Sequence, residues 1–187
     1  MKYLLTGQET DRLKFRLLNR DDFNTWIDLF KDKSIGKFLG MANLSSPKKQ
    51  CEKWFDLCDN RFKNELGGMN VLIDKSSNQL VGQCGLLIQD VDGVKELEIG
   101  YSILPKYWNK GYATEAVKKC RDFAFSNSYA DSLISIIHLE NIKSEKVALK
   151  NGMTKTKQTD FKEMPVNIFR IDKLEWLNNE KLKPNIE

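Results

Sequence analysis

Between Val71 and Leu104 the chain carries three apolar, β-branched-rich segments, Val71–Asp74, Leu80–Gln89 and Leu97–Leu104. Ser76-Ser77-Asn78 and Asp90-Val91-Asp92-Gly93, residues that suit tight turns, separate them. This pattern predicts an antiparallel meander of three strands. Everything else in the chain has to pack against that sheet.

The flanking segments supply both helices and further strands. Leu13, Phe15 and Leu17 alternate with Lys14 and Arg16, the period of a half-buried strand. Asp21-Asp22 then reads as the cap of a helical stretch whose apolar members Phe23, Trp26, Ile27 and Phe30 recur at three- and four-residue steps. A second helix is expected from about Ser46, with Pro47 in its first turn, through Trp54, Phe55, Leu57, Cys58 and Phe62 towards Gly67-Gly68. The aromatics Trp26, Phe30, Phe38, Trp54 and Phe62 are read mainly as core. After Gly111 a helix buries Ala116, Val117, Cys120, Phe123 and Ala124. Leu133–Ile137 is a short strand, Lys143–Lys150 a helix closed by Asn151-Gly152, and Val166–Ile171 a late strand. The expected class is α+β (mixed α/β), with helices on both faces of the sheet. No repeat, low-complexity tract or Pro/Gly/Ser-rich linker interrupts it, so residues 1–187 read as one domain, with a core over 10–175 and a tail over 176–187.

Composition removes several function classes. With 187 residues, 41% hydrophobic and 30% charged, the chain has enough apolar material for a core. No run approaches the roughly 18 apolar residues of a membrane span, and Met1–Asp11 lacks the apolar stretch of an export signal. A cytoplasmic protein without a membrane partner is expected. Thirty Lys+Arg against 26 Asp+Glu give a net charge of +4. Both signs are interspersed, so direct nucleic-acid binding is not expected, and an RNA-associated protein rests on the basic surplus alone. The surplus suits a phosphate-bearing small ligand equally. Cys51, Cys58, Cys84 and Cys120 form no CxxC pair, and with His138 as the lone histidine no metal site is expected. Cys51 and Cys58, about 10.5 Å apart along one helix axis, are too distant for a disulfide, so free thiols are expected.

The richest stretch runs from Glu96 through Pro105 to Ala116. A strand ends, a short loop with Gly111 follows, and a helix begins, so unpaired backbone N–H groups face outward at a helix start. Such a start suits a pyrophosphate, with Ala113 leaving the first turn uncluttered and Lys106 and Lys110 adding charge at the rim. Neither GxxxxGK[ST] nor GxGxxG is present, so the loop alone is equally compatible with an ordinary helix start.

Its neighbours carry more. Val81-Gly82, then Glu98-Ile99-Gly100-Tyr101-Ser102-Ile103, then Trp108-Asn109-Lys110-Gly111-Tyr112-Ala113-Thr114-Glu115-Ala116, then Asn141-Ile142-Lys143-Ser144 with Lys150-Asn151-Gly152-Met153, occur in the order seen in the acetyl-CoA-dependent N-acetyltransferases of the GNAT superfamily. The chain resembles their RimJ/RimL-like branch in particular, whose first strand is similar to Thr10-Asp11-Arg12-Leu13-Lys14-Phe15-Arg16. Two positions depart from the pattern: Trp108 stands where the family has Arg or Gln, and Met153 where it has Phe.

The resemblance implies a mostly antiparallel mixed sheet splayed between its fourth and fifth strands, with acetyl-CoA as co-substrate and an amine as acceptor. It assigns cofactor contacts to Tyr101, Ser102, Ile103, Trp108, Asn109, Lys110, Gly111, Tyr112, Ala113, Thr114 and Asn141. The pantetheine arm is expected to add to the fourth strand, and the Ile103 N–H to polarise the thioester carbonyl. Glu98 is the candidate general base; strand alternation also permits it to be merely solvent-facing. Ser144 is the candidate general acid, because Ala148 stands where many relatives have a tyrosine; it is otherwise a helix-start cap. Asn141 binds cofactor, caps the helix, or does both, and His138 reads as packed or exposed rather than catalytic. Functionally this gives an N-acetyltransferase acting on a protein N-terminal α-amine or a small-molecule amine by direct attack in a ternary complex. The rival is a catalytically idle acyl-CoA-binding module. An exposed late strand leaves monomer and homodimer both open.

Overall fold

A computed structural model describes residues 2–181. The meander is present and longer than its apolar segments suggested: β2 (Gly67–Asp74), β3 (Leu80–Val91) and β4 (Val94–Ile103) are antiparallel neighbours, with β1 (Leu13–Arg16) on the outer side of β2. The β3–β4 turn is just Asp92-Gly93, both at positive φ (54° and 79°). That is the two-residue hairpin whose twist matches the strands, and Asp-Gly is well suited to it.

β5 (Ser132–His138) runs parallel to β4, followed outward by β7 (Met164–Asp172) and the edge strand β6 (Thr154–Phe161), giving the order β1-β2-β3-β4-β5-β7-β6. Periodicity did not reveal β6. Its sequence, Thr-Lys-Thr-Lys-Gln-Thr-Asp-Phe, is almost wholly exposed, so no apolar alternation marks it, and lysines protect an edge from unwanted pairing.

Strand alternation sends side chains to two helical layers. Val71, Leu80 and Leu104 pack with Trp26, Leu29, Phe30, Cys51 and Phe55 on one face. Leu72, Ile99 and Ile103 pack with Val117, Cys120 and Ala124 on the other. The first layer holds α1 (Phe23–Trp26), α2 (Lys33–Phe38) and α3 (Pro47–Lys63), and the second α4 (Tyr112–Ser126) and α5 (Ile142–Lys150). Ser46 caps α3 and Pro47 opens it, as its sequence indicated.

Three expectations change. The N-terminal helical stretch is broken into a 3-10 turn (20–22), α1, and a second 3-10 turn (27–31), and its N-cap is Asn19, with Asp22 as the reciprocal partner and Asp21 taking no capping role. Asn19 Oδ1 takes the N–H groups of Asp21 and Asp22, and the Asp22 carboxylate, paired with Arg16 at 2.6 and 2.7 Å, accepts the Asn19 N–H at 3.0 Å in return, so the two form a capping box. Next, Phe123 is half-buried rather than core. Finally, a helix α6 (Lys173–Lys181) enters what reads as the tail; Trp176 stacks on Phe125 and donates to Asp122 at 2.9 Å. The remainder of the expected tail, 182–187, lies outside the described residues. All four cysteines are buried free thiols, with Cys84 and Cys120 facing each other at 3.4 Å between β3 and α4. Among the described residues no helix is long and apolar enough to cross a membrane.

Candidate active site

β4 and β5 touch through one register pair, Glu98 with Ile134, and separate beyond it. The backbone groups that face this gap follow from the β3–β4 ladder. Leu104 N–H donates to Val81 C=O, so even-numbered residues of β4 bond towards β3 and odd-numbered ones turn towards β5. Two odd-numbered carbonyls are already satisfied: Ser135 Oγ donates to Ile99 O at 2.9 Å and Trp108 Nε1 to Ile103 O at 2.6 Å. The Tyr101 and Ile103 N–H groups and the Tyr101 carbonyl are left facing the gap. An extended, amide-containing arm can pair with these as an added strand does.

At the end of β4 the chain makes a 3-10 turn (105–107), passes Asn109 at φ 60°, and enters α4 through Gly111. Gly111 adopts φ 83°, and a Cβ there would lie 3.2 Å from Arg12 Nη2. No side chain caps this helix, so the first N–H groups, at Tyr112, Ala113 and Thr114, are available to an anion.

Residues remote in sequence hold the loop. Arg12 donates to the Lys110 carbonyl at 2.9 Å, pairs with Glu115 at 2.6 Å, and covers the Tyr112 ring at 4.6 Å. Tyr112 Oη donates to Asp74 at 2.9 Å. The Ser76 N–H, with the Tyr112 and serine hydroxyls, holds the Asp74 carboxyl down to about 2. Arg12 and Asp74 were not among the expected site residues, although Arg12 lies in the Thr10–Arg16 segment that carried part of the resemblance.

A cavity of about 800 Å³ joins the gap, the loop, α2 and α5. Tyr101, Ser102, Ile103, Trp108, Asn109, Gly111, Tyr112, Ala113, Thr114 and Asn141 all line it, together with Glu98 and Ser144. Lys110 does not. Its ammonium, like that of Lys106, lies over the Tyr107 ring, at 5.3 and 5.1 Å respectively, and its site contribution is the carbonyl held by Arg12. Trp54 and Phe38, read as core, also line the cavity.

Glu98 sits half-buried where the two strands part, accepting Gln89 Nε2 at 2.6 Å and the Ile136 N–H. Burial pushes its carboxyl above the usual range; Gln89, Arg61 and the Ile136 N–H oppose this without cancelling it. Its face is thus the cavity rather than open solvent.

Ser144 is not the cap of α5. Asn141 Oδ1 accepts the Ser144 N–H at 3.1 Å, and the Ser144 carbonyl takes the Tyr101 hydroxyl at 2.8 Å. The Ser144 hydroxyl itself is uncommitted among the described residues. Burial raises the Tyr101 phenol well above its ordinary value. His138 is buried and lines the same cavity; its Nδ1 accepts the Glu140 N–H at 3.1 Å and its ring lies against Phe38, centroids 5.4 Å apart.

A splayed strand pair leading into an uncapped helix start, with an ionisable carboxyl at the branch, marks a fold of the acyltransferase class. Residues 12–154 match the family model for the acetyltransferase (GNAT) domain, and the chain belongs to that family of acetyl-CoA-using N-acetyltransferases. It is 36% identical over 148 residues to YnaD of Bacillus subtilis (strain 168), an uncharacterized N-acetyltransferase, covering 77% of this chain and 80% of that protein. In fold it is similar to an acetyltransferase from Agrobacterium tumefaciens str. C58 (TM-score 0.74, 21% identity, 91% of this chain and 96% of that one). It is similar also to RimL, a ribosomal L7/L12 α-N-protein acetyltransferase solved with coenzyme A (TM-score 0.71, 12% identity, 89% and 97%).

Proposed function

We propose that the chain transfers the acetyl group of acetyl-CoA to a primary amine, a protein N-terminal α-amine or a small-molecule amine, by direct attack in a ternary complex. The observation that carries this reading is the convergence on one cavity of the open β4–β5 gap, the uncapped start of α4 and Glu98. The pyrophosphate rests on the α4 N–H groups, and the pantetheine arm pairs with the exposed backbone of Tyr101 and Ile103. The Ile103 N–H polarises the thioester carbonyl and receives the charge that develops on its oxygen. As the amine nitrogen forms its bond to that carbon, Glu98 accepts the ammonium proton. The C–S bond breaks, and the thiolate takes a proton from the Ser144 hydroxyl or from solvent; its conjugate acid has a pKa of only about 8.5.

An α-amine, with a pKa near about 8, needs little assistance to reach its neutral form. A lysine side chain or a polyamine, whose amines have higher pKa values, demands more of Glu98. The test is incubation of a peptide and amine library with the protein and acetyl-CoA, read by mass spectrometry. Acetylated α-amines are the expected products. Binding of acetyl-CoA with no acetylated product anywhere in the library would establish the idle acyl-CoA-binding module instead, which Ala148 at the usual tyrosine position favours.

A further inference from the structure

The carboxyl at the branch of β4 and β5 is held from behind by two residues that do not line the cavity. Arg61, in the last turn of α3, donates through Nη1 to the carbonyls of Leu66 and Ile88 at 3.0 and 3.1 Å, and through Nη2 to Gln89 Oε1 at 2.8 Å. Gln89 Nε2 donates in turn to Glu98 Oε2 at 2.6 Å. Arg61 and Gln89 are half-buried, and both are absent from the cavity wall. A substrate in the cavity meets Glu98 but not the groups behind it.

The register explains why Gln89 reaches Glu98. Gln89 stands opposite Glu96 and Leu87 opposite Glu98, so all four side chains share one face of the β3–β4 pair. Glu96 is drawn away by Arg170 at 2.5 Å, and Leu87 offers no polar group. Gln89 thus pairs with its diagonal neighbour. Arg61 fixes which end of the amide points there, because a guanidinium has donors only: the Gln89 oxygen must face Arg61 and its nitrogen must face Glu98. Turned over, the amide would set N–H against N–H. A donor held at Glu98 Oε2 favours the carboxylate and cannot accept a hydrogen from the acid form.

We propose that Arg61 and Gln89 form a positioning relay that orients Glu98 as the proton acceptor of acetyl transfer. The inference rests on the reading of Glu98 as the base. The other groups acting on Glu98 are the Ile136 N–H of β5 and the charge of Lys162, in the turn between β6 and β7. The Tyr101 phenol, raised by burial, also feels the Glu98 charge. Among the groups that oppose the burial of Glu98, Gln89 acts most strongly, followed by Arg61. Without the relay, burial is less opposed, and Glu98 keeps its proton at a pH where the wild type has lost it.

The test follows the Glu98 carboxyl by carbon NMR across pH, in the whole chain labelled at glutamate Cδ, with Glu98→Gln identifying the signal. The kcat/KM profile, with acetyl-CoA and a peptide bearing a free α-amine, is set beside it. In Gln89→Leu the titration midpoint is expected to rise by about half a pH unit or more. The acidic limb moves with it, so activity lost near neutrality returns at higher pH, whereas structural damage alone lowers activity equally at every pH. Gln89→Glu, close in volume and still able to pair with Arg61, serves if the leucine variant fails to fold; its second carboxylate raises the midpoint further. Arg61→Met raises it too, and Arg61→Met/Gln89→Leu by less than the sum, because Arg61 acts through Gln89. A midpoint unchanged or lowered in the Gln89 variants would overturn the relay, and strict additivity in the double variant would remove Arg61 from it. An acidic limb that survives in Glu98→Gln, or that stays in place while the midpoint moves, would instead overturn Glu98 as the base and the relay's role with it.

Discussion

Arg12 and Glu115 are 103 residues apart, yet Arg12 Nε and Nη2 both lie 2.6 Å from Glu115 Oε2, and the Arg12 backbone N–H is 3.0 Å from Oε1. The pair fastens the start of β1 to the first turn of α4, and the remaining arm of the guanidinium holds the Lys110 carbonyl. Arg12→Ala is expected to raise the KM for acetyl-CoA about tenfold with a smaller change in kcat, because the loop loses its anchor while Glu98 is untouched. Steady-state kinetics with acetyl-CoA as the varied substrate check this.

The same pair makes a prediction in pH. Glu115 is desolvated, which raises its carboxyl, but the Thr10 and Arg12 bonds outweigh this and hold it below the ordinary value. A lowered carboxyl pKa stabilises the fold above the unfolded value and ceases to do so as pH falls through the folded one. Thermal melts of Glu115→Gln and wild type should therefore differ most near neutrality, with the gap shrinking as pH falls below 4.5, the ordinary carboxyl value.

Glu98 has the opposite sign. Its raised carboxyl pKa means the folded state holds the proton more tightly, so its ionisation costs stability as pH climbs past the unfolded value. Glu98→Gln is expected to melt at a higher temperature than wild type at pH 7, with the gap shrinking towards pH 4.5, the ordinary carboxyl value. Its kcat should fall about 10²-fold or more while acetyl-CoA affinity is retained, and the acidic limb of the kcat/KM profile should vanish. A kcat/KM profile identical to wild type would remove Glu98 as the base.

Ser144→Ala separates acid catalysis from capping. Because Asn141 caps α5 and the Ser144 hydroxyl holds no partner among the described residues, the variant is expected to keep its melting temperature within about 2 °C, the shift that about 0.5 kcal/mol produces in a chain of this size. If the hydroxyl protonates the thiolate, kcat drops about tenfold or more with acetyl-CoA and much less with a donor carrying a more acidic thiol.

The four cysteines give a check on the fold itself. All are buried, and desolvation raises the thiols of Cys51 and Cys58 to about 12 and lifts that of Cys120 well above its ordinary value. A thiol-reactive dye should label none of them on the folded protein within minutes and all four after denaturation.

What could be read along the chain was whatever local physics records. The meander, the Ser46–Pro47 helix start and the strand–loop–helix run from Glu96 to Ala116 announce themselves through periodicity, turn residues and a glycine. Apart from Asn141 and Ser144, the expected site residues lie in those same segments, and all of them but Lys110 line the cavity. Less local features left no such trace. β6 is invisible because both its faces meet water, and the cap at Asn19, with Asp22 as its reciprocal partner, needed the folded geometry to be assigned.

By itself the sequence determined the class of sheet, the phosphate-ready helix start and the family resemblance, since each depends on residues within a few positions of one another. Only the tertiary structure decided which β4 carbonyls Ser135 and Trp108 occupy, that Glu98 is half-buried at the branch of two strands, and that Arg12 holds a loop about 100 residues away. Hydrogen-bond partnership and desolvation depend on what the folded chain brings within a few ångströms, and neither is encoded in spacing along the backbone.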